Sequence, residues 1–535
     1  MRDHAPGTAP PARRFDAATT TTLLVALVAI GAYASSVAGG FAYDDDSLIV
    51  KNVAMHGVAG WPRLIMQAFW PATGQLYRPL TTMSLALDWQ LGSGSPGVMH
   101  AMNVAWFALC AALVTRVALR WLPPAGALAA GLFFAVHPTH VEVAAALTGR
   151  SELLCAAALL ALTLVVTRDA PLDTRRRLAI AACSAAAFLS KEIGIGAPLI
   201  AGAAVLALSR PARDAGRVAL VALAGTVGAL ALRVLVLGGV EGHHAHAAFT
   251  AATPMQALAL ALSGLGRGAT ILLVPHLPGL DYSPSMRQLV HPDLTLVAMG
   301  VVALVGTTVL ALRLTRAPRL LAFAAFLATV TYAPVANLLT HNGGIFGERS
   351  LFSPSVGVAL AVGLAVSSVR GAGRAVVGIA LGLWCAVALA IVLRAIPEWH
   401  DTDTVISAMI ARNPDSYRGW YFRAVREIDA GEIDAASRDL AAAMSRFDAA
   451  ADMVEGAGVF AVHLGDRSEG RRLLAHALSL EPTRLRSRAL LIKLMLKDGE
   501  GAAAARLIDD GLRQDAEQHE WQRLRDSLSA TPRPK

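Results

Sequence analysis

Long apolar runs alternate along this chain with two kinds of short polar loop. One kind is rich in arginine. The other carries His, Asp, Glu and Asn, at residues 137–152, 190–192, 240–253, 275–292 and 340–349. An apolar run of about 20 residues can cross a bilayer as a helix. Because arginine-rich loops are retained in the cytoplasm, the second kind of loop is expected on the opposite side of the membrane.

The alternation predicts about eleven membrane spans and places the C-terminus opposite the N-terminus. The predicted spans lie near 19–40, 98–120, 124–137, 151–167, 177–190, 193–209, 217–239, 293–312, 319–339, 350–369 and 375–395. The run 254–274 differs, because Arg267 stands at its centre and glycines interrupt it. We expect it to form a re-entrant or interfacial helix on the outer side.

The chain changes character at about residue 396, where charge increases and the helices become amphipathic. Gly431, Gly465 and Gly499 recur at a spacing of 34 residues, which is the period of the paired helices of tetratricopeptide repeats. About three repeats are enough for a self-supporting solenoid. Since repeats contact mainly one another, the repeat domain is expected to be separable from the membrane core.

The predicted fold is therefore all-α: a polytopic membrane helical bundle followed by a short α-solenoid. We predict four regions, which are a cytoplasmic disordered tail (1–18), a transmembrane domain with extracytoplasmic loops (19–396), a tetratricopeptide-repeat domain (397–515), and a capping helix with a tail (516–535).

Composition supports a membrane protein. The 535 residues are 55% hydrophobic and 16% charged, with a mean hydropathy of +0.51, and a soluble protein of this length carries more charge. The net charge of +8 resides in short loops between apolar runs, so it does not form a patch for nucleic acid. The four cysteines all lie in apolar runs and show no disulfide or metal-ligand spacing.

Three carboxylates, Asp44 to Asp46, follow directly after the first apolar run. The bilayer core cannot solvate them, so they lie at or beyond the membrane surface. Like charges this close cannot all ionise without cost unless a cation compensates. The cluster is therefore a candidate general base or divalent-metal site, or else an acidic loop that marks the end of the first helix.

Two further loops carry candidate chemistry with two readings each. His140 and Glu142 could bind a metal or orient a substrate, or could be polar residues that end a helix. Lys191 could meet an anionic group, or could form a neutralising ion pair with Glu192. The run His243-His244-x-His246 has no carboxylate or cysteine nearby, and we do not expect a metal there.

Several short motifs occur in a defined order along the chain. They are Phe41-x-Tyr43-Asp44-Asp45-x-x-x-Ile49-x-x-Asn52, Tyr77-Arg78-Pro79-Leu80, His137-Pro138-x-His140-x-Glu142, Gly149-Arg150-x-Glu152-Leu153-Leu154, Leu189-Ser190-Lys191-Glu192-x-Gly194, Asp281-Tyr282-Ser283 and Glu348-Arg349-x-Leu351-x-x-Pro354-Ser355, with Trp399 leading into the repeats. Together they resemble the transmembrane and tetratricopeptide-repeat O-mannosyltransferases and their bacterial relatives. The third acid, Asp46, and the short repeat array depart from that family.

The resemblance implies an inverting glycosyltransferase of the C superfamily in a bacterial inner membrane. Such an enzyme would move a sugar, mannose by analogy, from a polyprenyl-phosphate carrier to a Ser or Thr hydroxyl of an extracytoplasmic protein. The repeats would hold that acceptor outside the cytoplasm. The implied partners are the donor, the acceptor protein and membrane lipid, and no nucleic acid. No cofactor follows with certainty; a divalent metal at the acidic cluster is the one candidate.

Roles for individual residues follow from that chemistry. Asp44 or Asp45 would be the base for the acceptor hydroxyl. Cations would hold the donor phosphate, and the candidates are Arg349, Arg150, Lys191 and Arg78. Arg349 is the leading candidate, and Glu348 would orient its guanidinium. Residues expected to support the substrate site are His137, His140, Glu142, Glu192, Asp281, Tyr282 and Glu348.

Two alternatives remain open at this point. The acceptor could be a cell-envelope glycan or lipid. The chain could also be a non-enzymatic membrane adaptor whose repeats bind a partner. One span would suffice for an adaptor, and that function would not explain polar clusters confined to one face.

The arginine pattern makes a testable prediction about sidedness. In a chain without its native cysteines, a cysteine at position 342 should react with an impermeant maleimide from outside intact cells. A cysteine at position 175, in an arginine-rich loop, should react only after permeabilisation. Protection of position 342 in intact cells would contradict the topology.

Overall fold

The computed structural model describes residues 16–71, 76–239, 245–315 and 318–514. Residue 514 is described by its backbone alone. Most of the predicted N-terminal tail, the predicted segment 516–535 and two of the three clustered histidines, His243 and His244, lie outside the described residues.

Regular secondary structure in the described part of the chain is helical. The α-helices are α1 (Ala17–Tyr33), α2 (Trp61–Ile65), α3 (Pro79–Leu91), α4 (Pro96–Ala118), α5 (Pro124–Ala135), α6 (Val141–Ala145), α7 (Arg150–Val166), α8 (Thr174–Ser190), α9 (Ala197–Ala207), α10 (Ala212–Leu237), α11 (Ala247–Ala251), α12 (Pro254–Ile271), α13 (Met286–Val290), α14 (Leu294–Ala311), α15 (Arg319–Tyr332), α16 (Phe352–Ser368), α17 (Gly373–Ala395), α18 (Thr402–Arg412), α19 (Tyr417–Ala430), α20 (Ile433–Arg446), α21 (Ala451–His463), α22 (Arg467–Leu480), α23 (Leu485–Lys497) and α24 (Gly501–Gln514).

Seven helices of the described chain are long and apolar enough to cross a membrane, which makes this an integral membrane protein. They are Ala17–Ala38, Pro96–Ala118, Leu147–Val166, Ala212–Leu237, Leu294–Ala311, Glu348–Ser368 and Gly373–Trp399. All seven coincide with predicted spans. The other four predicted spans are also helices but fall short of this test, so the total of eleven stays a prediction.

These four shorter helices depart from simple spans in different ways. The chain of α5 bends by 54° into the segment Pro138–Ala145. Arginines occupy the first turn of α8. Glu192–Ala207 and Arg319–Val335 are apolar but short. A helix that does not reach across the bilayer leaves its end groups for other polar partners.

The helix α12, which covers most of the apolar run 254–274, packs antiparallel to α14 with close backbone contact. A Cβ added at Gly266 would stand 2.0 Å from the Leu296 carbonyl oxygen, and one at Gly300 would stand 2.0 Å from that of Leu262. Any larger residue would push the helices apart. Among the described helices α12 does not meet the test for a span; its re-entrant or interfacial placement stays a prediction.

Three of the arginine-rich loops, around Arg116, Arg168 and Arg210, lie at one end of the bundle. Arg176 donates to the Val166 carbonyl oxygen at 2.9 Å, and Arg210 donates to that of Arg168 at 2.9 Å. Asp16, before α1, lies within the electrostatic field of Arg116. The helix α1 therefore starts at the arginine-rich end and delivers the acidic cluster to the other end, as the alternation of loops predicts.

The C-terminal part is built from the helix pairs α19–α20, α21–α22 and α23–α24. Gly431, Gly465 and Gly499 turn the chain between the members of each pair, with φ of +78°, +87° and +79°. Glycine adopts this left-handed conformation without the steric cost of a Cβ. The 34-residue period is therefore the period of these turns, and the predicted fold class is confirmed: an all-α membrane bundle followed by a short solenoid.

The solenoid is fused to the membrane core at its first helices. Trp399, Val405 and Met409 belong to the main hydrophobic core of the bundle. Phe249, from the core, packs in one apolar cluster with Phe447 of the solenoid. Removing residues 400–535 would uncover both clusters, so the expectation of a separable repeat domain is wrong for its first helices.

Candidate active site

The acidic cluster lies where the loop after α1 enters a short π-helical turn, Asp46–Val50, of which Asp45 is the N-cap. Tyr43, directly before Asp44, has φ of +54°. Non-glycine residues rarely adopt this region, and a bulky side chain there costs about 1–3 kcal/mol unless surrounding contacts hold it. The carboxylate of Asp44 is thus presented by a strained backbone.

Asp44 faces the guanidinium of Arg349, a residue that lies 305 positions later in the chain. Arg349 Nη1 lies 3.5 Å from Asp44 Oδ2 and 3.5 Å from Glu142 Oε1. The Arg349 side chain is 46% exposed, Asp44 27% and Glu142 18%. Both contacts are long for charge-assisted hydrogen bonds. This cluster of two carboxylates around one accessible guanidinium is the candidate reactive centre.

Asp45 points away from this centre and is fully buried. Its carboxylate accepts hydrogen bonds from the N–H groups of Ala42 and Thr148, each at 3.2 Å. Burial raises the pKa of the Asp45 carboxyl to about 7, and the neighbouring Asp44 charge adds to the shift, while these N–H donors oppose it. Asp45 therefore ties the loop to the turn before α7.

A second polar cluster adjoins the first. Lys191 pairs with Glu152 in a buried contact and lies within the electrostatic field of Arg349, Arg78 and Glu142. Of the two readings of Lys191, the ion pair with its neighbour Glu192 is therefore wrong, because Lys191 pairs with Glu152 instead.

Glu192 is instead held by two arginines. Arg78 Nη2 lies 2.7 Å from Glu192 Oε2, and Arg233 Nη1 lies 3.4 Å from Glu192 Oε1. The Arg78 side chain is 13% exposed and that of Glu192 is 23% exposed. Arg78 thus keeps partial access to the site.

Arg150 is fully buried away from the site, so the prediction that it binds the donor phosphate is wrong. Its guanidinium is fully buried and lies 2.6 Å from the Asp88 carboxylate. It also donates to Asn103 and Ser84, each at 2.6 Å. A buried arginine whose nitrogens already meet such partners joins α7 to α3 and α4, and it has no free face for a lipid phosphate.

His137 and His140 line the break between α5 and α6, with both rings fully buried. His137 Nε2 lies 3.1 Å from the Leu272 carbonyl oxygen. His140 bridges the Phe134 carbonyl oxygen and Ser355 Oγ, each at 2.9 Å. They satisfy polar groups at an interrupted helix, and so hold Glu142 in place without facing a substrate.

Glu348 does not orient Arg349, contrary to the prediction. Its buried carboxylate accepts from the Tyr282 hydroxyl and from the Gly279 N–H at 2.8 Å, and it lies 3.2 Å from His276 Nε2. Tyr282 and Glu348 thereby fasten the 276–282 loop to the turn that carries Arg349. Their support of the site is structural.

Asp281 joins the core to the solenoid. Its carboxylate accepts from Ser283 Oγ at 2.9 Å and from Ser416, and it pairs with Arg418 Nη1 at 3.3 Å. It therefore sits at the domain junction, where the sequence indicated only an outer loop.

An apolar cavity of about 430 Å³ opens between α12, α14, α15 and α16. Leu351 and Pro354 line it, and they follow Arg349 closely in the chain. Thr307, Thr329 and Tyr332 are its polar lining residues. The cavity offers an apolar compartment beside the charged cluster.

The charged cluster does not resemble a metal site in the described residues. No group of three or more His, Cys, Asp or Glu side chains is arranged there or elsewhere in the described part to hold an ion. The Arg349 guanidinium stands between the two carboxylates that a cation would need. A divalent metal at the acidic cluster stays a prediction.

Sequence reasoning missed three charged residues of these networks. Asp88 is the single charge of α3, and Arg233 is the single charge in the apolar stretch 218–237 of α10; a charge in such a setting usually has a buried partner. Arg418 gave no such signal, because it lies among the many charges of the repeat region.

Comparisons with known proteins agree with the motifs. A tetratricopeptide-repeat family model matches residues 461–528. The chain is 34% identical over 195 residues to Protein O-mannosyl-transferase Tmtc2 of Drosophila melanogaster, covering 34% of this chain and 21% of that one. It is 24% identical over 356 residues to Protein O-mannosyl-transferase F38B6.6 of Caenorhabditis elegans, covering 63% and 50%.

The predicted resemblance is confirmed. This chain is a sequence relative of these O-mannosyl-transferases that also carries tetratricopeptide repeats, and the matched part spans half or less of the relatives' own length. Among solved structures, the crystal structure of ArnT from Cupriavidus metallidurans bound to undecaprenyl phosphate aligns with 92% of this chain and 79% of that chain, at 16% identity and a TM-score of 0.40.

The buried Asp45 carboxyl predicts a pH-dependent stability. Its pKa is about 7 in the folded protein and about 3.9 when unfolded. Between these pH values the folded protein keeps a proton that the unfolded chain releases. The contribution of Asp45 to the free energy of unfolding therefore falls as pH rises from about 4 to about 7. In the detergent-solubilised protein, Asp45→Asn should remove this part of the decrease of the thermal unfolding midpoint with pH between pH 5 and 8.

The matched control is Asp46→Asn, which changes the next residue, a partly exposed carboxylate. In Asp45→Asn the introduced amide also replaces one acceptor oxygen by a donor, so the absolute midpoint is expected to fall at acid pH. Identical slopes for wild type and Asp45→Asn would contradict a buried, protonated Asp45.

Proposed function

We propose that this protein is an inverting membrane glycosyltransferase. It takes a sugar, mannose by analogy with its relatives, from a polyprenyl-phosphate carrier and transfers it to a Ser or Thr hydroxyl of an extracytoplasmic protein. The proposed location is the bacterial inner membrane, with the solenoid outside the cytoplasm. The O-mannosyl-transferase names of the relatives support this class of reaction.

The observation that carries the proposal is the Asp44–Arg349 pair beside an apolar cavity. A lipid-linked phosphate donor has two unlike parts, an apolar chain and an anionic head. The cavity lined by Leu351 and Pro354 suits the first, and the exposed guanidinium of Arg349 suits the second. A carboxylate 3.5 Å from that guanidinium is where a base would be needed.

The reaction can be written with these groups. Asp44 accepts the proton of the acceptor hydroxyl as its oxygen forms a bond to the anomeric carbon of the sugar. The bond from that carbon to the phosphate oxygen breaks, and the polyprenyl phosphate leaves with the electron pair. Arg349 stabilises the charge that develops on the departing phosphate. Attack opposite to the leaving group inverts the anomeric centre.

We assign the base to Asp44 and a positioning role to Asp45. Asp44 is partly exposed, whereas Asp45 is fully buried and bound to two backbone N–H groups. A base must reach the proton it removes, at about 2.6–3.2 Å or through one water. Only the first of the two carboxylates meets this requirement without movement of the loop.

Arg349 is the leading phosphate ligand, with Arg78 and Lys191 behind it. Arg349 is the most exposed of the three, and its carboxylate contacts are long enough to be exchanged for phosphate oxygens. Glu142 shares the guanidinium at 3.5 Å and keeps it aimed at the centre when no donor is bound.

The test of the function is transfer by purified protein. A panel of labelled polyprenyl-phosphate sugars is incubated with membrane extracts that contain candidate acceptors. Label in protein is the expected result for wild type. Asp44→Asn should lower the rate by about 10²–10⁴-fold, as is typical for loss of a general base.

The control is Asp46→Asn, which should transfer at the wild-type rate. Label in the glycan or lipid fraction would instead support the alternative acceptor. Full activity of Asp44→Asn would exclude Asp44 as the base, and absence of transfer by wild type from every donor would contradict the enzyme.

Donor affinity tests the role of Arg349 separately. Arg349→Ala should weaken binding of a polyprenyl-phosphate sugar, and Arg349→Lys should weaken it as well, because an ammonium cannot bind two phosphate oxygens as a planar fork does. The matched control is Arg287→Ala, which changes an exposed arginine of the short helix α13. Unchanged donor affinity in both Arg349 variants would indicate that Arg78 or Lys191 binds the donor phosphate instead.

A further inference from the structure

We propose that the solenoid is part of the catalytic apparatus, because Arg418 of α19 positions the loop that presents Asp44. This rests on the proposed function in one respect, the assignment of Asp44 as base. Arg418 itself does not touch Asp44 in the structure; it acts through Tyr43, so it is a positioning residue.

The first step of the argument is the backbone of Tyr43. Its φ of +54° is unfavourable for an aromatic residue, and such a conformation persists only where surrounding contacts over-determine it. Asp44 follows immediately, so the direction of its carboxylate depends on whether Tyr43 stays in this conformation. Whatever holds Tyr43 therefore holds the base.

The second step is the origin of these contacts. The Tyr43 N–H donates to Thr402 Oγ1 at 2.9 Å. The Tyr43 hydroxyl accepts from Arg418 Nη2 at 2.9 Å. The Tyr43 ring meets Phe422 edge to face, with centroids 5.4 Å apart and planes at 73°. Backbone, hydroxyl and ring are thus each fixed by α18 or α19.

Gly40, at the start of this loop, also contacts the segment just before α18. The Gly40 N–H donates to the His400 carbonyl oxygen at 2.8 Å. A Cβ at Gly40 would lie 3.2 Å from that oxygen, which is tighter than a comfortable contact. The segment from Gly40 to Tyr43 therefore lies directly on the start of the solenoid.

The third step is the rigidity of Arg418. Its Nη1 lies 3.3 Å from Asp281 Oδ1, and Asp281 is itself bound by Ser283 and Ser416. The guanidinium also stacks over the Phe422 ring, at 5.3 Å from its centroid. A planar fork fixed on one side by a carboxylate presents its other nitrogen to Tyr43 in a defined direction.

Lysine at this position could keep the charge but could not serve both partners with the same geometry. A misplacement of a reacting group by about 1 Å can cost about 10²-fold in rate. We therefore expect Arg418→Gln and Arg418→Lys both to lower kcat by about 10²-fold, with little change in donor affinity, since Arg349 belongs to the core.

The test combines a measurement that needs no substrate with one that does. Hydrogen exchange of the full-length protein, followed by mass spectrometry, reports the amides of residues 40–46. Transfer from the donor that wild type uses gives kcat and the donor KM. The matched control is Arg426→Gln, because Arg426 lies two turns along α19 and forms a bidentate pair with Asp403 at 2.8 and 3.1 Å, within the same two helices.

Faster exchange of residues 40–46 in Arg418→Gln than in Arg426→Gln, with reduced kcat, an unchanged donor KM and a retained cooperative unfolding transition, would support the proposal. Tyr43→Phe removes the same hydrogen bond from the other side, so its kcat loss should not add to that of Arg418→Gln. Additive losses, or equal effects of Arg418→Gln and Arg426→Gln, would overturn it.

The exchange measurement also separates this proposal from the proposed function. Wild type that transfers no sugar would refute the function, while faster loop exchange in Arg418→Gln would still support the anchoring of the loop by the solenoid. Unchanged loop exchange in an otherwise active Arg418→Gln variant would refute the anchoring and leave the function intact.

Discussion

A charge buried in an apolar bundle needs a partner, because burying an unpaired charge costs several kcal/mol of folding free energy. Arg150 meets Asp88, and Lys191 meets Glu152, both in buried contacts. Breaking such a pair typically costs about 3–5 kcal/mol. Arg349 is different, since it is half-exposed and shared at 3.5 Å by Asp44 and Glu142. The tight pairs hold the scaffold, and the loose one is available for chemistry.

The candidate site is built where helices stop. Glu142 follows a 54° bend between α5 and α6, and Arg349 lies in a short 3-10 turn before α16. An interrupted helix leaves backbone groups that need partners in an apolar setting. His140 supplies one by reaching the Phe134 carbonyl oxygen. The polar residues that end these helices therefore also fix the position of the candidate reactive groups, Glu142 and Arg349.

The loop that carries Asp44 has anchors on two sides. Asp45 fastens it to the turn before α7 through the Thr148 N–H, and α18 and α19 fasten Tyr43. The strained conformation of Tyr43 is thus held between two sets of contacts, as such a conformation requires surrounding structure to persist. A solenoid fused to the bundle in this way can influence the site as well as hold a partner.

The sequence by itself determined the membrane helices, the grouping of polar loops at one end and the glycine turns of the repeats. These features are local, since they depend on the apolarity of a run or the φ of one residue. Only the tertiary structure decided which charges meet. Lys191 pairs with Glu152, 39 residues away, and not with the adjacent Glu192, and Arg349 meets Asp44, 305 residues away, while Glu348 turns to Tyr282. Neighbouring side chains leave the backbone in different directions, so adjacency in sequence does not establish contact, and the pairing follows from how distant helices pack.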